Sequence, residues 1–307
     1  MMKDNPNLLN IDLGVTSNKI QQFIKKYVIE LKKDGAVIGL SGGIDSCLVL
    51  KLCVEALGKD NVLSVIMPER DSEKKNMVDA VKFAKKLGVK YIYKKITPIL
   101  QKIGIYNLYP PTFLFKRSII ERFVREKRRK ISERLKEDTY IVNLEGGSDA
   151  ELCKGLAYHR VKHRLRSVIL FYYSELKNYL YAGCSNKSEE LTGYFVKYGD
   201  NIADIMPIVS LYKTQVFSLA KYLDLPSCIL EKSPSPDLIP GVVDEDMLGM
   251  SYRKLDLILS GIENNYTIDK IIEISEATKY DIQRVKKIIN KSEYLRTWPI
   301  ELLNNSF

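Results

Sequence analysis

The chain has 307 residues, of which 45% are hydrophobic and 28% are charged. This balance is typical of globular proteins and excludes wholesale disorder, collagen and coiled coils. The five cysteines form no CxxC pair, which argues against both a disulfide framework and a zinc ribbon. The longest uncharged apolar run, Val168–Tyr173, is far shorter than the roughly 20 residues that cross a bilayer. Because the N-terminus also lacks a secretion signal, we expect a cytoplasmic protein with reduced cysteines and no membrane association.

The net charge of +10 is concentrated in one segment. Residues 111–140 contain ten lysines and arginines against five acidic residues. The apolar spacing within this stretch predicts a basic helix over Lys116–Lys136. Such a helix either presents a solvated face or binds phosphate or nucleic acid, and the sequence leaves both readings open.

The first hundred residues alternate between helical and strand patterns. A helix capped by Ser17 and ended by Gly35 precedes the apolar run Ala36–Leu40, which reads as a buried strand. The following elements are a helix, a strand, a second helix and a third strand, at Asp45–Leu57, Asn61–Pro68, Asp71–Leu87 and Val89–Ile96. Because such alternation requires crossover connections, it predicts a parallel sheet with helices on both faces.

The regular pattern is lost over 97–153, which we interpret as a basic insertion or lid. A long helix over Glu151–Leu176 and a fourth strand over Asn178–Cys184 then continue the sheet. Beyond a turn-rich stretch, a helical extension over 244–307 is predicted, with helices at Asp244–Leu259, Ile268–Ser275 and Asp281–Asn290. No linker is evident, so we expect a single α/β domain over 1–307 with a doubly wound, mostly parallel sheet.

A loop of sequence SGGIDS, Ser41–Ser46, lies between the first strand and its helix. Two glycines, Gly42 and Gly43, allow the backbone to approach an anion, and a helix N-terminus favours negative charge. The Ser41 and Ser46 hydroxyls add hydrogen-bond donors. Asp45 would repel phosphate unless it held a cation, so the loop predicts Mg²⁺ bound together with a nucleotide phosphate. The GxxxxGK[ST] loop is absent, which disfavours a P-loop phosphotransferase.

Further candidate residues follow the other predicted strands. Glu189 comes just after the fourth strand, where it and Asp45 can share Mg²⁺ as metal ligands. Lys187 and Lys213 stand in loop-like contexts and are suited to neutralise a leaving pyrophosphate. Met67 ends the second strand and is expected to line an adenine pocket.

The SGGIDS loop resembles the signature of the pyrophosphatase-loop ATP enzymes, and further blocks resemble ammonia-dependent NAD synthetases. The similarity extends over about 17–99 and 160–299, through the blocks Gly183–Glu189, Gly193–Asp200, Ala203–Asp204, Leu211–Val216, Lys232–Ser235, Asp244–Asp246 and Ser292–Tyr294. It implies an adenine nucleotide alpha-hydrolase-like fold and a homodimer. It also implies amidation of deamido-NAD by ammonia through an acyl-adenylate, with ATP as substrate, Mg²⁺ as cofactor, and AMP and pyrophosphate as products.

The resemblance also assigns roles to residues. It implies ATP binding by a set of residues on the predicted strand ends and loops: Ser41, Gly42, Gly43, Asp45, Ser46, Met67, Arg164, Cys184, Lys213 and Ser235. It implies acceptor binding by Arg160, Lys197, Asp200 and Asp204, and catalytic roles for Asp45, Lys187 and Lys213. Three residues depart from the family pattern: Cys184 replaces threonine, Arg160 replaces asparagine and Leu295 replaces a basic residue.

The nitrogen donor and the acceptor stay open to alternatives. Because SGGIDS begins at Ser41, we expect no fused glutaminase before it, so ammonia or a separate glutaminase supplies nitrogen. One rival is a related adenylating ligase that amidates a different carboxylate. Another is a tRNA-modifying enzyme that binds RNA through Lys116–Lys136, although the absence of CxxC and the single aromatic Phe123 disfavour nucleic acid.

Overall fold

A four-stranded parallel sheet forms the centre of the molecule in the computed structural model, which describes residues 8–109, 114–115, 117–146, 149–232, 244–297 and 299. The strands are β1 (Gly35–Gly39), β2 (Val62–Ile66), β3 (Lys90–Tyr93) and β4 (Tyr179–Tyr181). Their spatial order is β3-β2-β1-β4, and each neighbouring pair is parallel. The predicted parallel α/β sheet is confirmed; β1 begins one residue earlier than predicted, and β2, β3 and β4 are shorter than the apolar runs that predicted them.

Side chains alternate between two apolar cores along β1, as the period of a strand requires. Ala36 and Ile38 pack into a core with helices α1 (Leu13–Glu30), α2 (Ile44–Leu57), α3 (Lys74–Lys86) and α9 (Lys213–Tyr222). Val37 points to the opposite core, built with α4 (Thr97–Ile103) and α7 (Ala150–Lys177). The sheet is therefore covered on both faces, which explains why its strands read as continuous apolar runs.

Most of the remaining helices pack in a third core beside the sheet, and one short helix, which contains Ile229, packs into the core of α1 and α2 instead. The remaining helices are α5 (Arg117–Leu135), α6 (Thr139–Glu145), α8 (Lys187–Thr192), α10 (Ser227–Leu230), α11 (Asp244–Leu248), α12 (Tyr252–Glu263), α13 (Ile268–Ser275) and α14 (Lys279–Arg296). Buried residues of α6 pack with those of α12, α13 and α14. The segment 97–153 and the C-terminal extension therefore share one core.

Several predicted helix boundaries are wrong. The first helix begins at Leu13, because Asp12 rather than Ser17 caps it by accepting from the Val15 N–H at 2.8 Å. The single helix predicted over 244–259 is two helices, because Gly249 adopts φ +74° and Ser251 caps a new start. Helix α9 was not predicted at all.

The basic helix α5 is anchored at its C-terminal half. Ile131 is buried, Lys127 contacts Glu151 at 2.7 Å, and Arg134 pairs with Asp149 at the start of α7. Ile119 and Phe123, nearer its N-terminus, are more than half exposed. Helix α5 therefore joins the body of the molecule through one end. Among the described residues, no helix combines the length and hydrophobicity that a membrane span requires.

Candidate active site

The SGGIDS loop is closed by hydrogen bonds among its own serines. The Ser46 hydroxyl donates to the Gly43 carbonyl at 3.0 Å, and the Ser41 N–H donates to the Ser46 hydroxyl at 3.3 Å. The Gly43 N–H donates to the Ser41 hydroxyl at 3.2 Å. Gly43 is the N-cap of α2 and has no side chain to accept from the N–H groups of the first turn, which leaves these donors for an anion.

Gly42 is required by two features of this loop. Its φ of +82° lies in the left-handed region that L residues rarely adopt. A Cβ placed on it would lie 2.3 Å from the Asn76 carbonyl oxygen at the start of α3. The loop therefore packs its backbone directly against α3.

Lys213 links the two carboxylates that the sequence assigned to a metal. Its Nζ lies 2.6 Å from Asp45 Oδ2 and 3.2 Å from Glu189 Oε1. Asn186 also binds both: its Nδ2 donates to Asp45 Oδ1 at 2.9 Å, and its N–H donates to Glu189 Oε2 at 3.3 Å. The adjacency of β1 and β4 thus brings Asp45 and Glu189 together, as predicted. Lys213 was predicted to be an isolated cation, and its contacts with both carboxylates show that it is not. Lys213 is buried and is the first residue of α9, so the prediction that it lies in a loop is wrong.

The charges of this centre shift one another's pKa values. Burial raises the pKa of Glu189 to about 8, with Lys213 opposing this rise and Asp45 and Asp244 adding to it. Burial acts to lower the pKa of Lys213, but the surrounding carboxylates outweigh it and raise that pKa. Burial also raises the pKa of Asp244. The raised pKa values of Glu189 and Asp244 mean that the centre favours the binding of a proton or another cation at these carboxyl groups.

The C-terminal extension holds this centre in place through residues that the sequence analysis did not assign. Asp256 is fully buried; it accepts from the Ser188 hydroxyl and from the Thr214 N–H, the latter at 2.8 Å. Ser188 accepts in turn from the Lys213 N–H at 2.9 Å. Asp256 therefore joins the starts of α8 and α9, which carry Glu189 and Lys213.

Lys187, predicted to be catalytic, contacts a different partner in this structure. Its Nζ lies 2.7 Å from Glu263 and above the Tyr212 ring at 4.7 Å. It is therefore not an isolated cation, and the structure does not bring it to the Asp45–Glu189 pair. Lys187 is the first residue of α8, and its N–H donates to the Leu211 carbonyl at 2.8 Å, which fixes its backbone.

The predicted acceptor residues lie around the middle of α7 and the loop after α8. Asp200 accepts from the Val196 N–H at 2.7 Å and contacts His163 Nδ1 at 3.2 Å. Lys197 donates to the Tyr294 carbonyl at 2.6 Å. Burial acts to raise the pKa of Asp200, but His163 outweighs it and holds that pKa below its ordinary value.

The other predicted residues are held by backbone groups. Asp204 accepts from the Tyr181 N–H at 2.7 Å and so orders the end of β4. The Arg160 guanidinium donates to the Asn143 carbonyl at 2.9 Å. Arg164 is exposed and donates to the Lys197 carbonyl at 3.3 Å, which brings these two predicted residues together.

The structure describes two further residues that were predicted to bind the nucleotide, Met67 and Cys184. Met67 is buried at the end of β2, and its carbonyl accepts from Arg166 Nε at 3.4 Å. Cys184 lies just after β4, where burial raises the pKa of its thiol well above the usual value. Ser235 lies outside the described residues.

A second buried lysine forms a separate network at the end of β2. Lys162 is fully buried, with its Nζ 3.0 Å from Glu69 and 3.1 Å from Asp71. The Tyr158 ring lies under the same ammonium at 4.1 Å. The network fixes the loop after β2 against α7. The sequence offered no signal for it, because its members lie some 90 residues apart in the chain.

His159 makes stability depend on pH. Its Nδ1 is buried without a hydrogen-bond partner in the described structure, and burial lowers its pKa to about 3. The folded chain thus keeps this ring neutral, while the unfolded chain protonates it below pH 6.5, so stability falls as pH drops from 6.5 towards 3. We expect the loss to reach about 2 kcal/mol at pH 5. Urea unfolding of wild type and His159→Phe at pH 7.5 and 5 checks this, since equal pH slopes would contradict it.

Comparisons with known proteins identify relatives along nearly the whole chain. The family model for NAD synthase matches residues 16–116 and 120–299, so the similarity runs through most of the segment 97–153 as well. An NH₃-dependent NAD⁺ synthetase of Thermotoga maritima is 47% identical over 279 residues, covering 91% of this chain and 96% of the relative. One from Methanocaldococcus jannaschii is 38% identical over 282 residues, covering 92% and 94%.

Solved structures agree with the fold. NMN synthetase from Francisella tularensis has a TM-score of 0.70 at 25% identity, covering 96% of this chain and 100% of the other. An NH₃-dependent NAD synthetase from Campylobacter jejuni, in complex with nitrate, has a TM-score of 0.66 at 29% identity with the same coverage. The loop at β1, the paired strand-end carboxylates and these similarities lead to one conclusion: the chain belongs to the NAD synthase family.

Proposed function

We propose that this protein is a carbon–nitrogen ligase that amidates deamido-NAD to NAD with ATP and ammonia. The observation that carries the proposal is the SGGIDS loop beside the Asp45–Glu189–Lys213 centre, in a chain 47% identical to an NH₃-dependent NAD⁺ synthetase. The acceptor carboxylate attacks the α-phosphorus of ATP, which forms an acyl-adenylate and releases pyrophosphate. Ammonia then attacks the acyl carbon and expels AMP.

The chain's own residues supply alignment and charge. The loop backbone and the N-terminus of α2 bind phosphate oxygens, while Ser41 and Ser46 hold the loop in shape. Lys213 neutralises charge that develops on the departing pyrophosphate. No covalent nucleophile is needed, because the acceptor carboxylate and ammonia are themselves the nucleophiles. We retain Lys187 as a catalytic candidate that must leave Glu263 to reach a phosphate.

The donor set at this centre fits Mg²⁺. Asp45 and Glu189 each contact the Lys213 ammonium through one carboxylate oxygen. Such hard oxygens are the ligands that Mg²⁺ prefers. Among the described residues, no group of three or more ligating side chains is arranged to hold a metal ion by itself. Asp45 and Glu189 would therefore hold the ion together with ATP oxygens. When bound, Mg²⁺ supplies charge neutralisation for the pyrophosphate.

We further propose that Arg160, Lys197, Asp200 and Asp204 form the acceptor side. The Lys197 carbonyl accepts from Arg164, which is assigned to ATP binding, so the acceptor side adjoins the nucleotide side at this point. The Asp204 carboxylate serves this side by ordering the loop after β4. Arg160 and Cys184, which depart from the family pattern, alter the contacts around the nicotinate and the nucleotide.

The basic segment 97–153 is proposed as a lid over the acceptor side. Helix α6 of this segment supplies the carbonyl that Arg160 binds, so the segment adjoins that side. On α5, Arg122 and Arg129 pair with acidic residues one turn on, which reduces the free positive charge available to RNA. These pairs favour a lid over a tRNA-binding element.

A homodimer is proposed on the basis of an apolar stripe along α7. Val168, Tyr172 and Leu176 recur at a spacing of four residues and are 64%, 59% and 60% exposed. Aligned apolar side chains of this kind mark interfaces, and the occupant proposed here is a second copy of the chain.

Replacing Tyr172 by Lys is therefore expected to convert the dimer to a monomer, because a charge would be buried at the interface without a partner. Light scattering coupled to size exclusion measures the mass. Ile29→Lys, which changes an apolar residue exposed elsewhere on α1, serves as the control and should leave the mass unchanged. A wild-type monomer, or a Tyr172→Lys dimer, would contradict this assignment.

Assays of the purified chain with ATP and Mg²⁺ test the acceptor and the nitrogen donor. We expect kcat/KM for deamido-NAD to exceed that for nicotinate mononucleotide by at least about tenfold, because contacts to the second nucleotide stabilise the transition state. The reverse ranking would favour a different acceptor. Nicotinate mononucleotide is chosen as that rival because the fold resembles an NMN synthetase. Glutamine without ammonia should give only background turnover, and NAD formation from glutamine at a comparable rate would contradict ammonia dependence.

A further inference from the structure

The ammonium group of Lys213 lies between the two carboxylates that are proposed to hold the metal. Lys213 Nζ contacts one oxygen of Asp45 and one of Glu189, and the lysine side chain is only 2% exposed. The other oxygen of each carboxylate accepts from Asn186, at 2.9 and 3.3 Å. All four oxygens therefore have partners, and Lys213 contacts the oxygen of each carboxylate that Asn186 does not.

The surroundings stabilise the lysine in this position. The Tyr252 ring lies 5.3 Å from its Nζ, which adds a cation–π contact. Its backbone N–H is fixed to Ser188, so only the flexible side chain is free to move. Asp244 adds negative charge from α11. A divalent cation brought next to this ammonium would be repelled by it at short range in a poorly solvated site.

We propose that Lys213 is an exchangeable counter-ion that keeps free divalent cations out of the Asp45–Glu189 pair until ATP binds. The ATP phosphates then offer Lys213 a new anionic partner, and the ammonium moves to them while the metal takes its place between the carboxylates. This inference rests on the proposed function, because that function assigns Mg²⁺ to these two carboxylates. It adds an order to binding: the metal enters with the nucleotide and not before it.

Mn²⁺ titration followed by the electron paramagnetic resonance signal of the free ion tests this order without any turnover. Wild-type full-length protein should bind Mn²⁺ weakly alone, and the protein mixed with a non-hydrolysable ATP analogue should bind it at least about tenfold more tightly than either the protein alone or the analogue alone. Lys213→Met, which removes the ammonium, should bind Mn²⁺ without nucleotide at least about tenfold more tightly than wild type does. Tight nucleotide-free Mn²⁺ binding by wild type would overturn the proposal, and this arm holds even if the variant does not fold.

Lys162→Met is the matched control, since Lys162 is also a buried lysine between one glutamate and one aspartate. An increase of the same size in the Mn²⁺ affinity of this variant would mean that removing any buried lysine creates a binding site. That result would overturn the assignment to Lys213. Adding Asp45→Asn to Lys213→Met should abolish the gained binding, and retained binding would also overturn it. If the ATP analogue recruits no Mn²⁺ to wild type, the proposed metal role of Asp45 and Glu189 fails instead.

Discussion

Asp45→Asn and Glu189→Gln are each expected to slow pyrophosphate release by about 10² or more, because each removes a negative charge that is proposed to hold Mg²⁺ against the leaving group. Both carboxylates contact the same ammonium at the ends of adjacent strands, and both are largely buried. Their loss therefore cannot be compensated by solvent. Pyrophosphate release at saturating ATP and Mg²⁺ gives the measurement.

Glu55→Gln provides the control for this prediction. Glu55 lies on the same helix, α2, and pairs with Lys51 at 3.1 Å, but away from the SGGIDS loop. It should release pyrophosphate at the wild-type rate. Near-wild-type rates in Asp45→Asn or Glu189→Gln would remove the shared-metal assignment, and a slow Glu55→Gln would show that any lost ion pair on α2 has the same effect.

Gly42→Ala is expected to have the second large effect, on both stability and ATP binding. The added Cβ would lie 2.3 Å from the Asn76 carbonyl oxygen, so the loop or α3 must shift. We expect a loss of roughly 3 kcal/mol in the free energy of unfolding, from the left-handed backbone and the clash together. The KM for ATP should rise at least about tenfold, because displaced loop amides no longer meet the phosphates.

Gly58→Ala separates the two causes. Gly58 ends α2 with φ +80°, close to the φ of Gly42, but an added Cβ there meets nothing within 4 Å. Urea unfolding should show a loss of about 1 to 2 kcal/mol with an unchanged KM for ATP. Equal losses in the two variants would mean that the contact with Asn76 contributes nothing.

The sequence predicted the position of the SGGIDS loop between β1 and α2 well because its signals are local. An apolar strand, two glycines, two serines and a helix start follow one another within a dozen residues, so no distant contact is needed to interpret them. The pairing of Asp45 with Glu189 also followed from sequence, because β1 and β4 end at the same edge of a parallel sheet.

The charged centre itself depends on tertiary contacts and was only partly predicted. Lys213 was predicted to lie in a loop because the N-cap of α9 is Tyr212, which is not a usual capping residue. The helix start is stabilised instead by Gln215, whose side-chain oxygen accepts from the Tyr212 N–H. Asp256 and Asn186 were missed because their partners are 42 and 141 residues away. Such contacts bring together elements whose relative positions a single sequence does not specify.

The break in the predicted 244–259 helix was, by contrast, visible in the sequence. Gly249 and Ser251 are a typical helix stop and helix start, two residues apart. The apolar periodicity continued through them and favoured a single helix. The break matters for the site, because it turns Asp244 and Tyr252 towards each other, with the Tyr252 hydroxyl donating to Asp244 at 3.0 Å.

The fate of the acceptor's carboxylate oxygen tests the proposed reaction most directly. Deamido-NAD labelled with ¹⁸O in its nicotinate carboxylate is incubated with the enzyme, ATP, Mg²⁺ and ammonia, and the products are analysed by mass spectrometry. Attack on the α-phosphorus transfers one labelled oxygen to AMP, so we expect NAD, labelled AMP and unlabelled pyrophosphate. Formation of ADP with the label in inorganic phosphate would instead show attack on the γ-phosphorus, and would contradict the acyl-adenylate route.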